Sequence, residues 1–167
     1  MASFCVIIGI FGDRIPGPIF FDGRLDSGRY LRFLQEVLQD MLDEESLARI
    51  ATMWYQHDGA PVHHTRAVRN YLQQQFWGRV IARQGQDAPV FWPARSPDLS
   101  PLDLFLWGHL KAVVYAAEPR TQQELKDRIV DACRAITPVT LGAVRDNMLL
   151  RVQKCTEVHG QHFEQLL

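Results

Sequence analysis

Two carboxylates stand at the borders of expected secondary structure, where an acid can reach a ligand. Asp58 follows the apolar run Ile50 to Tyr55 and precedes Gly59; Asp103 falls in the first turn of a helix introduced by Ser100 and Pro101. Asp98 lies in the connecting loop just before them. In open α/β sheets ligands gather beyond the carboxyl ends of strands, so an acid at Asp58 is placed to hold a metal or a phosphate. Convergent carboxylates suit a pair of Mg2+ or Mn2+ ions. These hard cations take oxygen ligands, and two of them about 4 Å apart activate an attacking oxygen and stabilise a leaving one. The substrate of such a centre is a phosphodiester. The same residues also fit plain structural roles. An Asp-Gly pair after a strand makes a turn, and a carboxylate three residues past Ser100 favours the positive end of a helix. Spacing alone leaves both readings open.

His57, His63 and His64 surround Asp58 and raise the question of zinc, but no cysteine pair joins them. Arg66, Arg69, Arg79, Arg83 and Arg95 either line a phosphate-facing surface or are solvated or paired with acids. Trp54, Trp92 and Trp107 flank the two acids and are expected to pack in the core, with Trp92 open to base stacking if it is exposed. His159 and His162 are expected to pack or cap.

The elements that position these groups follow from periodicity. Phe4, Val6, Ile7, Ile8 and Ile10 form a β-branched apolar run, the Gly12 to Arg14 and Pro16 to Pro18 stretches punctuate it, and Ile19 to Phe21 begins a second run; together they predict a hairpin. Asp26 or Ser27 caps a helix carrying Tyr30, Leu31, Leu34, Val37, Leu38, Met41 and Leu42. Ile50 to Tyr55, with no polar face, predicts a central strand buried on both sides. A helix over about Thr65 to Phe76 presents Val68, Tyr71, Leu72 and Phe76, and Val80-Ile81 and Val90 to Trp92 are short strands. Pro93, Pro97 and Pro101 impose an extended path. Leu102, Phe105, Leu106, Leu110, Val113 and Val114 then give a buried stripe. Thr121 to Glu124 is a capping box ahead of Leu125, Ile129, Cys133 and Ile136, and a last helix starts near Val139. Strands alternating with helices describe an α/β layer design.

Composition bounds the rest. At 167 residues, 47% hydrophobic and 22% charged, the chain is neither disordered nor collagen-like and fits one domain. Eighteen Lys and Arg against 19 Asp and Glu give a net charge of −1, without the basic excess of an autonomous nucleic-acid-binding domain. Cys5, Cys133 and Cys155 are odd in number and form no C-x-x-C pair, which speaks against a disulfide framework and for a reducing, intracellular compartment. No apolar run approaches the ~18 residues of a membrane span, and Phe4 to Phe11 lacks the flanks of a signal peptide. No membrane and no small-molecule substrate is expected.

Residues 54–63, WYQHDGAPVH, resemble the "QQDGAPxH" segment of mariner-type transposases, and residues 92–108, WPARSPDLSPLDLFLWG, resemble their "WPPRSPDLTPLDFFLWG" segment. The flanks agree: Gly17 to Phe21, Tyr30 to Leu34, and the C-terminal GQHFEQLL, close to the family's "GGHFEHLL". The likeness runs through nearly the whole chain. It implies an α/β, ribonuclease-H-like catalytic domain over residues 1–167, with a mixed sheet flanked by helices. It also implies a centre in which three acids bind two Mg2+ or Mn2+ ions for DNA strand cleavage and transfer in transposition and integration. Asp58 matches the second acid and Asp103 the third, 45 positions on, an interval compatible with the subgroup whose wording the chain shares. Asp98 is not the expected ligand, and His63 matches the family's turn histidine, which favours a hydrogen bond within the turn over a ligand role. His63, Arg66, Arg69 and Arg95 become candidate DNA contacts, a homodimer is compatible, and the nucleus is the expected location.

The departure from the family pattern is at the start. There the first acid sits on a strand just before the hairpin, in a segment like "FSDE", and only three residues precede Phe4 here. The expectation is a chain truncated at its N-terminus, without that first, central strand and without the helix-turn-helix domains. Asp13 and Asp22 are the nearest stand-ins for the missing acid. Such a chain is expected to retain weak metal and DNA binding and not to cut or join DNA unaided. The alternative is a domesticated interaction module that dimerises or docks a partner through an uncovered hairpin edge.

Overall fold

β-Branched and aromatic residues at both ends of a Gly/Pro-rich loop set up the first element, an antiparallel pair of β1 (Phe4–Ile7) and β2 (Ile19–Asp22) in the register Phe4 to Asp22 and Ile7 to Ile19. A computed structural model describes residues 3–58, 60–83, 90–92 and 96–167. The chain divides into two units: residues 1–22 with 96–167, and residues 23–95.

In the first unit the hairpin shares a core with helical segments. A π-helical stretch, Leu102–Leu106, runs into α1 (Trp107–Val114), followed by α2 (Gln122–Arg134) and α3 (Pro138–Glu157). Ile8, Leu106, Leu110, Val114, Ala132 and Cys133 form the buried cluster, with Val6, Ile15, Phe105 and Ile129 packed against it. Burial raises the Cys133 thiol pKa. Arg128 donates to the carbonyls of Val114 and Ala117 and to Glu124 Oε1, so one guanidinium satisfies orphan carbonyls at the end of α1. The expected capping box forms with a one-residue offset: Glu124 N donates to Thr121 Oγ1 at 3.0 Å, while Glu124 Oε2 accepts from Arg120 N at 2.7 Å. Thr121→Ala is expected to lower the unfolding free energy by about 1 kcal/mol, measured by urea denaturation.

In the second unit a long helical run starts at α4 (Ser27–Phe33), where Asp26 Oδ1 accepts from Arg29 N at 2.9 Å. It passes through a π-helical stretch, Leu34–Leu38, to α5 (Gln39–Asp43). The strand expected over Ile50 to Tyr55 forms only at its end: α6 (Leu47–Thr52) takes the first half of the run, and β3 is only Tyr55–Gln56. Ser46 is the reason, since its Oγ accepts from Arg49 N and starts a helical turn just ahead of the apolar run. α7 (Arg66–Gln75), capped by Thr65, buries Val68 and Leu72 and joins β3 to β4 (Val80–Arg83). β5 (Val90–Trp92) completes a parallel three-stranded sheet in the order β3-β4-β5, the crossover geometry that a helix between parallel strands requires. The loop between β4 and β5 and the Pro93 part of the extended path lie outside the described residues. Among the described residues no helix is long and apolar enough to cross a membrane.

Candidate functional site around Asp58

β3 delivers Gln56, His57 and Asp58 in succession, and period-two alternation sends neighbouring side chains to opposite faces. His57 turns inward and is only 8% exposed, while the Asp58 side chain is 71% exposed. A short 3-10 helix, Pro61–His64, then folds back, closed by His63 N donating to Ala60 O at 3.0 Å. That turn brings His63 Nδ1 to 2.7 Å from Asp58 Oδ1, an ion-pair distance without hydrogen-bond alignment, and Ala60 N donates to the same oxygen at 3.0 Å. Thus the turn histidine acts on the carboxylate, and the backbone closes the turn. The His63 nitrogen beside Asp58, helped by the Ala60 N–H, lowers the carboxyl pKa to about 2 against the opposing effect of partial burial. Asp58 is therefore a carboxylate at any physiological pH.

The rings behind it are densely packed. His63 lies parallel to His57 (5.1 Å, 9°) and against Tyr30 (4.3 Å, 35°), and His64 meets His57 edge-on at 5.8 Å. Tyr30 and Tyr55 share a hydrogen bond between their hydroxyls at 2.8 Å. Burial pushes the Tyr55 hydroxyl up to about 12. Burial, then the neighbouring His63 and His64, pushes His57 down to about 3, so the imidazole inside is neutral. Nothing in the composition signalled this inward His57; only the alternation along β3 could have.

Asp103 lies in the first unit, exposed, in the π-helical stretch Leu102–Leu106. Trp107 N donates to Leu102 O, five residues back, which widens that turn; such turns recur at functional sites. Asp98, in the 3-10 turn Pro97–Leu99, is half-buried, and its carbonyl accepts from Arg151 Nη1 at 3.4 Å, in keeping with a loop role. Asp22 ends β2 and faces Lys126 Nζ at 3.5 Å, and Asp13 sits exposed in the turn bridged by Phe11 and Arg14. Among the described residues no three His, Cys, Asp or Glu side chains converge as a metal-holding group. The three histidines build no zinc site. What Asp58 and Asp103 offer is hard carboxylate oxygen, the donor type for Mg2+ or Mn2+.

The other candidates separate. Arg66 is exposed and Arg69 half-buried at the start of α7, whereas Arg79 is committed to the fold: its Nε donates to Met53 O (3.0 Å) and Nη2 to Ile50 O (3.3 Å), closing the end of α6. Arg95 and the Arg83 side chain lie outside the described residues. Trp54, expected in the core, is 47% exposed, while Trp92 and Trp107 are half-buried. His159 and His162 do not pack; both are exposed, and His159 holds a left-handed position (φ 55°) beyond the end of α3, followed by Gly160 (φ 80°).

Residues 3–126 match the family described as DDE superfamily endonuclease. The chain is 30% identical over 143 residues to the Tc3 transposase of Caenorhabditis elegans, covering 84% of this chain and 39% of that protein. It thus spans well under half of that relative's length. Its fold is similar to the catalytic domain of Mos1 mariner transposase, at a TM-score of 0.77 and 18% identity, over 98% of this chain and 82% of the other. It is also similar to Mos1 in a paired-end complex with Mn, at a TM-score of 0.74 and 20% identity, over 96% of this chain and 44% of that one.

Proposed function

Because this chain belongs to the DDE superfamily endonucleases, as a ribonuclease-H-like α/β domain of the Tc1/mariner transposase type, we propose that it works on DNA phosphodiesters through Asp58 and Asp103. Asp58 is the observation that carries this reading: an ionised, outward-facing carboxylate at the carboxyl end of a parallel strand. Asp103 supplies the second carboxylate. Divalent ions of the Mg2+ or Mn2+ type, when bound, supply charge neutralisation at the phosphate and activation of the attacking oxygen. The chain's own residues supply the oxygen ligands, and Arg66 and Arg69 offer positive charge to the DNA backbone. The Mos1 complex with Mn supports this choice of metal. Location in the nucleus and self-association on DNA belong to the same proposal.

We further propose that this 167-residue polypeptide, taken by itself, binds Mn2+ weakly and does not cut DNA, because two carboxylates lack the bridging third ligand that two-metal chemistry uses. Supercoiled plasmid incubated with the chain and Mn2+ is expected to stay supercoiled. Nicking that disappears in Asp58→Ala would overturn the inactivity.

One observation favours a second reading. β1 pairs with β2 on one side and has no strand on its other edge among the described residues, so its backbone donors and acceptors suit strand addition. A non-catalytic interaction module would form a salt-insensitive dimer in light scattering and show no DNA affinity. The endonuclease-type domain shows salt-dependent DNA binding instead.

A further inference from the structure

An exposed aspartate ordinarily samples several rotamers, and ordering it costs conformational entropy. Asp58 is exposed yet held. The contacts on its carboxylate among the described residues fall on one oxygen, Oδ1, which meets Ala60 N at 3.0 Å and His63 Nδ1 at 2.7 Å. His63 is itself hard to displace. Its side chain is 17% exposed, its ring packs on Tyr30 and runs parallel to His57, and Tyr30 is 3% exposed with its hydroxyl tied to Tyr55 on β3. The imidazole is thus anchored by the strand that leads into Asp58, through Tyr55 three residues back from it. Supporting groups of this kind orient a carboxylate ligand and set its affinity.

We infer that His63 is a positioning residue for Asp58: together with the Ala60 N–H it pins Oδ1 inward and turns Oδ2 outward to a divalent cation. This rests on the reading of Asp58 as a metal ligand. His63 touches neither metal nor DNA in this role. It acts through one nitrogen, Nδ1, and that gives the test its discrimination. An asparagine side chain places its amide nitrogen near the Nδ1 position, whereas a glutamine places it near Nε2, on the far side of the ring.

The experiment is titration of the full chain with Mn2+ alone, read by electron paramagnetic resonance of the free ion, for wild type, Asp58→Asn, His63→Leu, His63→Asn and His63→Gln. Melting curves of each protein are recorded alongside. The expected result is weaker Mn2+ binding, by about 10-fold or more, in Asp58→Asn, His63→Leu and His63→Gln, with His63→Asn within about twofold of wild type. If His63→Leu does not fold, the asparagine and glutamine variants decide between them. Equal Mn2+ affinities in those two overturn the inference. So does wild-type affinity in His63→Leu and His63→Gln while Asp58→Asn has lost it, a result that leaves the metal reading intact. Wild-type affinity in Asp58→Asn, or no Mn2+ binding by the wild-type chain, removes the metal reading itself.

Discussion

Leu106→Ala is expected to destabilise the chain by about 2–5 kcal/mol, the usual cost of emptying a fully buried leucine site. Leu106 is 0% exposed and sits among Ile8 of the hairpin, Leu110 and Val114 of α1, and Ala132 and Cys133 of α2. These neighbours belong to elements already fixed by their own hydrogen bonds, so the site cannot collapse around the lost methyl groups and a cavity remains. At this chain length each kcal/mol moves the melting temperature by about 2–4 °C, so the midpoint falls by roughly 4–20 °C. Leu106 also ends the widened turn that carries Asp103. Its loss therefore loosens the backbone on which one proposed ligand stands. Leu106→Met, close in volume, should cost less than about 1.5 kcal/mol. Thermal melting followed by circular dichroism compares the three proteins. Equal midpoints for the alanine and methionine variants would show that this core is not where the first unit gets its stability.

The second large effect is a loss of stability in mild acid. His57 is held neutral inside, with its pKa pushed down to about 3 from 6.5. Above pH 6.5 folded and unfolded forms are both neutral at this residue, so its contribution is fully present. As the pH falls below 6.5 the unfolded chain takes up the proton first, and stability is lost progressively until the folded form also titrates near pH 3. By linkage the loss at pH 5 is about 2 kcal/mol. Asp58 acts in a separate, lower window, present above about 3.8 and lost toward about 2. Denaturation in metal-free buffer at pH 7.5, 6 and 5 measures the slope. In His57→Gln that slope should flatten between pH 6.5 and 5 whatever the absolute stability. An unchanged slope would mean that His57 is reached by solvent in the folded chain.

Much of this molecule was legible in its sequence because local chemistry and tertiary structure agree. The hairpin follows from a β-branched run and an Ile-Phe-Phe run around prolines and glycines, and Asp26, Thr65 and Thr121 cap the helices that their patterns announce. The run from Ile50 to Tyr55 misled because a short apolar segment carries no period of its own; a serine ahead of it decided for helix. Asp58 was legible as an acid at a strand end, and its relation to His63 was not. A short 3-10 turn lies between them, and whether a histidine in such a turn faces its own backbone or the preceding acid depends on rings from Tyr30, distant in the chain. Arg79 illustrates the same limit. In the sequence it reads as phosphate-facing, solvated or paired with an acid, and it proves to be tied to two carbonyls.

The widened turns at Leu34–Leu38 and Leu102–Leu106 carry a consequence for how genes of this type can change. A π turn is a regular helix with one surplus residue, so deleting a single codon there restores ordinary winding without breaking the helix. Because the wide turn has already absorbed the surplus residue, the segments before and after it keep their faces. At the second turn the rewinding is confined to the turn that carries Asp103, and Leu110 and Val114 stay seated. One lost codon could thus relocate a carboxylate and spare the core, a far smaller lesion than most frame-preserving deletions inflict.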